Sequence, residues 1–298
     1  MLGADAIRLR IIIQHPEKRD KPCERLWKEV GPVTKKELLD RHARSGEERV
    51  LLARVLDKLA LSQSRGIPGH TPFLSPGEQA SVTGLLNAMG RPLHLFWGGY
   101  PDSERRVCLF LPDWLEEEDA LADPEGPVAA VEGKFPAEAK LTHRDILGSL
   151  MGLGLTRAAL GDILLPRPGL CQVVALRDSL PVLLSQWEGA GRWKASLSEL
   201  PLDKLSPSPP QVKTIRDTVA APRLDAVAAA GFSLSRSKAA ALIASGKVSL
   251  NHRECLKADR QVAQGDVITC RGLGKCVVKE VPGQSKKGRT MLVLERYI

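Results

Sequence analysis

A chain of 298 residues with 43% hydrophobic and 26% charged residues can bury two or more modest cores, which excludes a disordered polyelectrolyte and a small disulfide scaffold. Aromatic residues make up only 4%, so the composition advertises no surface of stacking rings. The formal charge of +8 sits at one end: from Ala221 onward there are 14 Lys and Arg against 6 Asp and Glu, whereas the preceding 220 residues hold 29 of each.

Such segregation points to a polyanionic partner, because Lys and Arg release counterions condensed on phosphates; a solvated basic face is the plain alternative. Cys23, Cys108, Cys171, Cys255, Cys270 and Cys276 have no CxxC spacing and read as reduced, mostly buried thiols of a cytosol-like compartment. The six histidines do not join carboxylates or cysteines at ligand spacing, so neither a metal nor another cofactor is expected. Ile7 to Ile13 is too short for a secretory or membrane segment and is broken by Arg8 and Arg10, so no membrane partner is expected.

Residues 24–66 read as helical, with Leu38, Leu39, Val50, Leu51, Val55, Leu56 and Leu59 at three- and four-residue steps until Gly66, Pro68, Gly69 and Pro72 break the pattern. Ser75, Pro76 and Glu78 announce a helix to about Met89. Leu93 to Trp97 and Arg105 to Leu111 predict an antiparallel hairpin around Gly98, Gly99 and Tyr100, and Val128 to Phe135 a third strand. The acidic stretch from Asp113 to Glu125 reads as a solvated loop. Thr142 with Asp145 caps a short helix closed by Gly152 and Gly154. Ile163 to Leu165 and Cys171 to Leu176 predict short strands, and Asp178 to Glu188 a further helix. The mixed order resembles an RRM-like plait more than a doubly wound sheet.

Ser206, Pro207, Ser208, Pro209 and Pro210 predict an extended linker over 201–220, just where the charge balance changes. Beyond it, Arg223-Leu224-Asp225 opens a helix, and Ser235 caps a second whose stripe is Ala239, Leu242 and Ile243 and whose stop is Gly246. Arg236 and Lys238 fall in the first turn of that second helix and Lys247 just past its end, where cations and helix-start amides can meet a phosphate backbone.

The order of Arg-Leu-Asp, Ser235-Arg236 with Ala239, Leu242-Ile243, Gly246-Lys247-Val248, Asn251, Lys257, Val262 and Gly265-Asp266-Val267-Ile268 resembles the S-four RNA-binding domain. His252 departs from the pattern, since the family usually has glycine after the asparagine. The resemblance implies a helix pair that reads RNA shape and phosphate, with Arg223, Ser235, Arg236, Lys238, Lys247, Asn251 and Lys257 as contacts. An ion pair is the structural alternative for Arg223 and Asp225.

Phe73-Leu74-Ser75-Pro76, Phe96-Trp97-Gly98-Gly99-Tyr100, Leu141-Thr142-His143-Arg144-Asp145 and Gly161-Asp162-Ile163-Leu164, together with the C-terminal tail, are similar to the YlmH-type proteins. Cyanobacterial and plastid relatives of these carry the label photosystem II S-four domain protein, which implies no pigment or redox site here. In the tail, Arg271, Lys275, Lys286, Lys287 and Arg289 join the expected RNA contacts, on strands running to Val281 and over Met291 to Glu295. The resemblance implies a non-enzymatic protein in the cytoplasm, or the stroma of a plastid. It would bind ribosomal RNA of the large subunit and act in translation or the rescue of stalled ribosomes.

The rival is an RNA-modifying enzyme, a pseudouridine synthase or methyltransferase that uses the S-four unit for substrate binding. His143-Arg144-Asp145 lacks the asparagine a kinase loop needs, since Leu150 stands there, and Gly152-Leu153-Gly154 closes a helix instead of opening one. The signature motifs of a tyrosyl-tRNA synthetase are absent as well. The expected architecture is α+β: a helical N-terminal segment over 1–69, a central RRM-like α/β module over 70–200, the linker, and a small α+β S-four domain over 221–298 with a C-terminal strand extension.

Overall fold

The structure is a computed structural model that describes residues 34–209, 211–285 and 288–297. The chain forms two compact units, one holding the residues to Ser75 and Ser81–Leu205, the other Pro76–Ala80 and Ser206 onward. The expected helix before residue 34 lies outside the described residues.

In the first unit, Thr34 and Glu37 cap each other's backbone to start α1 (Lys35–His42), and Ser45 caps α2 (Gly46–Arg65). The three- and four-residue steps of Leu52, Val55, Leu56 and Leu59 place them on one buried stripe of α2. That stripe packs with Leu39, with Val82, Leu85 and Leu86 of α3 (Pro76–Ala88), and with Cys108 and Phe110. The last two belong to β3 (Val107–Phe110), the centre of an antiparallel sheet ordered β1-β3-β2, with β1 at Gly69–His70 and β2 at His94–Trp97. The N-terminal helices are therefore one layer of this sheet's core, and residue 69 is no domain boundary.

All four residues of β3 are buried, as for a strand covered on both faces. Cys108 and Phe110 meet the helices; Val107 and Leu109 meet a second sheet. That sheet is ordered β5-β6-β4-β9, from β4 (Val128–Lys134), β5 (Leu160–Arg167), β6 (Leu170–Leu176) and β9 (Ser196–Leu200), while the two-residue strands β7 (Gly189–Ala190) and β8 (Trp193–Lys194) pair with each other. With α5 (His143–Gly152) after β4 and α6 (Leu180–Gln186) after β6, the chain runs β-α-β-β-α-β with every neighbour antiparallel, the plait expected from sequence. The plait begins at residue 128 and not at 70, because residues 69–111 form their own sheet. The single strand β5 runs on through Pro166, tolerated because β5 lies at the sheet edge.

Alternation along β4 and β6 gives the plait two apolar faces. Ala129, Val131, Cys171, Val173 and Ala175 pack on Ile146, Leu150, Leu183 and Trp187 of the helical side. Val128, Val174 and Leu176 pack on Val107 and Leu109 of the first sheet and on Leu111 and Phe73 beside it. The unit is thus four layers deep: helices, three strands, four strands, helices. Between β3 and β4 the acidic stretch holds α4 (Glu117–Ala122), which buries no residue.

The expected linker over 201–220 is mostly structured. Leu202–Lys204 is a 3-10 turn whose Leu202, with Leu205, packs into the layer between the two sheets. Val212–Val219 is strand β10, paired along its whole length with the last strand, β15 (Thr290–Tyr297), from Val212 opposite Tyr297 to Val219 opposite Thr290.

The second unit is a six-stranded antiparallel sheet ordered β10-β15-β14-β13-β11-β12. Its other strands are β11 (Val248–Leu250), β12 (Arg253–Glu254), β13 (Val267–Cys270) and β14 (Gly274–Gln284). On one face lie α7 (Leu224–Phe232) and α8 (Arg236–Ala244), whose Leu224, Val227, Ala239 and Ile243 pack with Cys276, Val278, Leu292 and Leu294 of the sheet. Four of the cysteines, Cys108, Cys171, Cys270 and Cys276, are buried free thiols, and burial pushes Cys276 up to about 11 and Cys171 to about 12, which makes both unreactive. Cys255 is half-buried, and Cys23 lies outside the described residues.

Candidate nucleic-acid interface

The helix pair is fixed by short-range devices. Segment 257–262 runs beside the start of α7, where the Leu224 amide donates to the Arg260 carbonyl (2.8 Å) and the Asp225 amide to that of Ala258 (3.0 Å). Two first-turn amides that a helix leaves without partners are thereby satisfied by backbone. Ser233, in the left-handed region, ends α7, and Ser235 Oγ accepts from the Lys238 amide (3.2 Å) to start α8. Ser235, an expected RNA contact, is therefore first a helix cap.

Asp225 is the buried anion of this surface, with a side chain only 8% exposed. One carboxylate oxygen accepts from Arg236 Nη2 at 2.7 Å; the other accepts from the Ala226 amide at 2.9 Å and lies 3.4 Å from Arg223 Nε, an ionic contact without hydrogen-bond geometry. Two guanidiniums thus share one carboxylate, and the trio keeps one net positive charge. The ion-pair alternative for Arg223 is realised, and Arg236, with a side chain still 57% exposed, is partly neutralised.

Lys238, Lys247 and Lys257 are exposed and enter no ion pair among the described residues. Lys238 and Lys247 mark the two ends of α8, roughly 14 Å apart at a helical rise of 1.5 Å per residue. The Arg271 amide donates to the Lys247 carbonyl (2.9 Å), which brings a further exposed cation beside Lys247, while the Glu254 carboxylate lies against neighbouring Gly246.

The other expected contacts are placed differently. Asn251 is a structural pin: its Nδ2 donates to Asp266 (2.8 Å) and its Oδ1 accepts from the Val267 amide (2.9 Å). Asn251 and His252 have φ of 51° and 63°, the left-handed pair of a two-residue hairpin turn between β11 and β12. Histidine at the position of the usual glycine therefore keeps the turn, being one of the residues found there more often than most. Lys275 Nζ sits 4.0 Å from the Tyr297 ring centre, and Arg289 donates to the Thr218 hydroxyl and carbonyl, so both belong to the sheet and not to the helix pair. Lys286 and Lys287 lie outside the described residues. Sequence reasoning missed Arg216, hidden in the supposed linker; the alternation of Val212, Thr214, Arg216 and Thr218 with Ile215 and Val219 is the signal that reveals its strand.

In the first unit, Asp162 gathers the remaining sequence motifs. It accepts from Tyr100 Oη (2.7 Å) and from the amides of Glu104 (2.7 Å) and Arg105 (3.0 Å), while Arg105 donates to the carbonyls of Phe73, Arg157 and Leu160. Gly161 is needed for close approach, since a Cβ there would meet the Phe73 ring at 2.8 Å. Burial and the nearby Arg157 charge lower the pKa of His143 at the start of α5. The plait face opposite its helices carries Ala130, Glu132, Gln172 and Val174 on its two central strands, no aromatic among them, and its end is sealed by the first sheet. Base stacking on an open sheet, as RRM domains do it, is unavailable there.

Two family descriptions match this chain. "Putative RNA-binding domain in YlmH" covers residues 128–204, the plait and its closing turn. "S4 domain" covers residues 222–268, from the start of α7 into β13. Together they define a protein with two RNA-binding-type domains in series, an α+β chain ending in an S-four domain. In carrying both domain types the chain is similar to the YlmH-like S4-domain proteins. It is 29% identical over 250 residues to "Ribosome-associated protein quality control protein P2" of Bacillus subtilis (strain 168), which covers 84% of this chain and 95% of that one. It is also similar to the solved structure "Cell division protein ylmH from Streptococcus pneumoniae", with 25% identity over 54% of this chain and 96% of that one and a TM-score of 0.44.

Proposed function

We propose that this protein is a non-enzymatic, ribosome-associated RNA-binding protein that docks on structured RNA of the large ribosomal subunit through the α7–α8 face and takes part in quality control of translation. It works wherever the ribosomes of its cell are, in the cytoplasm or a plastid stroma. The observation that carries the reading is the set of exposed cations on one helix pair and its flank, Arg236, Lys238, Lys247 and Arg271, over a core that fixes the helices rigidly. The S4-domain match and the relative named for ribosome-associated quality control support it. A rigid helix pair with cations at both ends suits the wide, shallow groove and phosphate rails of folded RNA, where shape and charge are read more than base sequence.

The test is anisotropy of a labelled ribosomal RNA hairpin, with co-sedimentation on purified large subunits. Lys238→Ala and Lys247→Ala should each weaken binding by several-fold and lower the salt slope by about one per lost phosphate contact. Binding that ignores salt and both substitutions removes the reading. A ribosomal RNA nucleotide whose modification requires the protein would replace it with catalysis.

A further inference from the structure

We propose that the sheet face of the C-terminal unit turned away from α7 and α8 is a second RNA-binding surface, which grips a phosphate backbone separate from the one at the helix pair, so that this unit bridges two RNA segments.

Strand alternation separates the two faces. Ile215 and Val219 of β10, Leu292 and Leu294 of β15 and Cys276 and Val278 of β14 face the helices. Their neighbours, Thr214, Arg216, Thr218, Val293 and Lys275, must then face the other way. On that side a groove of about 570 Å³ runs over β10, β15 and β14, with Arg216, Thr214 and Thr218 on one wall and Lys279 and Pro282 on the other. The second wall stands up because β14 breaks register twice, between Val278 and Glu280 and between Glu280 and Gly283, and such bulges bend a strand out of plane.

The donors left over identify the occupant. Arg216 and Lys279 of the groove, with Lys275 and Arg289 beside it, are set against Asp217, Glu280 and Glu295, an excess of one positive charge. Lys279 and Glu295 pair with each other, and Arg216 is exposed with no ion pair among the described residues. Arg289 is held along the rim by its two bonds to Thr218, and the Thr214 hydroxyl stands beside Arg216 as a further donor. Phosphate oxygens are met by this kind of set: guanidinium, ammonium and hydroxyl donors on a rigid backbone. A protein partner is the poorer fit, because interface hot spots need large apolar anchors. The groove offers Met291, Leu292, Val293 and Pro282, none of them aromatic, and the Tyr297 ring is capped by Lys275.

The experiment uses the full chain and one RNA hairpin prepared in donor-labelled and acceptor-labelled forms. Stoichiometry is read by sedimentation and bridging by energy transfer between the two labels. The wild type should bind two hairpins per chain and give transfer. Arg216→Glu with Lys275→Glu should bind one hairpin, lose the transfer and keep its circular dichroism and mass; Arg216→Gln alone should weaken the second binding event several-fold. One hairpin per wild-type chain, or two per chain in the double variant, overturns the proposal. If Lys238→Glu with Lys247→Glu abolishes all binding while the sheet variants change nothing, the proposal falls and the helix-face reading stands. The reverse pattern removes the helix-face reading and keeps this surface.

Discussion

Substituting Asp225→Asn probes the anchor of the helix pair at nearly constant shape. The carboxylate is buried, accepts a charge-assisted bond from Arg236 at 2.7 Å, and lies 3.4 Å from Arg223. A hydrogen bond to a charged group contributes about 1.5–3 kcal/mol, and stripping one partner from a fully buried pair costs about 3–5 kcal/mol. The lower range applies because the Arg223 and Arg236 side chains are 41% and 57% exposed and recover water when the anion is lost. A loss of about 2 kcal/mol is expected, which at a urea slope of roughly 2 kcal/mol per molar moves the unfolding midpoint down by about 1 M. In a double-mutant cycle, Arg236→Gln should cost less in the Asp225→Asn background than in the wild type, since the two side chains touch. Meanwhile the freed Arg236 raises the net charge of the helix face, so low-salt RNA affinity should hold or increase. An unchanged midpoint, or a cycle with zero coupling, refutes the account of Asp225 as the structural anion. Loss of RNA binding at full stability would instead make it a residue that positions Arg236 for the ligand.

Ser235→Ala should remove the cap of α8 and cost about 1 kcal/mol in urea unfolding, whereas Ser235→Asp should keep the cap but weaken RNA binding by placing an anion beside Arg236 and Lys238. Equal RNA affinity in Ser235→Asp and wild type would place the RNA elsewhere. Gly98→Ala should destabilise the first unit by about 3 kcal/mol, because the new Cβ would stand 2.2 Å from the Arg105 carbonyl oxygen, a backbone atom that cannot swing aside; a thermal midpoint equal to wild type would contradict it. His143 has a pKa below the ordinary 6.5, so the folded chain resists the proton that the unfolded chain accepts. Its contribution is complete above about pH 6.5 and is lost as pH falls toward the lowered value. The thermal midpoint of the wild type should therefore drop more between pH 7 and pH 5 than that of His143→Gln, and superimposable pH profiles would rule this out.

What was legible in the sequence was local. The caps of α5 and α8 need only a hydroxyl and an amide three residues apart, so Thr142 with Asp145 and Ser235 with Lys238 announce themselves. The first five elements of the plait were readable because each carries its own apolar period, whereas its closing strand β9 (Ser196–Leu200), mostly exposed, was not read. Domain limits were not readable in the same way. Residue 69 looked like a boundary because glycines and prolines cluster there, yet the stripe of α2 packs on Phe110 of a later strand. The prolines at 207 and 209 signalled a linker, but β10 starts only a few residues on and takes all its backbone partners from the final strand.

By itself the sequence determined the cation-rich helix pair, its caps, the S-four motif order and the first five elements of the plait, since each depends on residues within a few turns of one another. Only the tertiary structure decided which cations remain free, because Asp225 reaches Arg236 across the helix turn and Asn251 is spent on Asp266 and Val267. It also decided that one face of the plait is sealed and that, among the described residues, one face of the C-terminal sheet is open. Both depend on what packs against a strand's second side, and alternation along one strand specifies two faces without specifying what covers them.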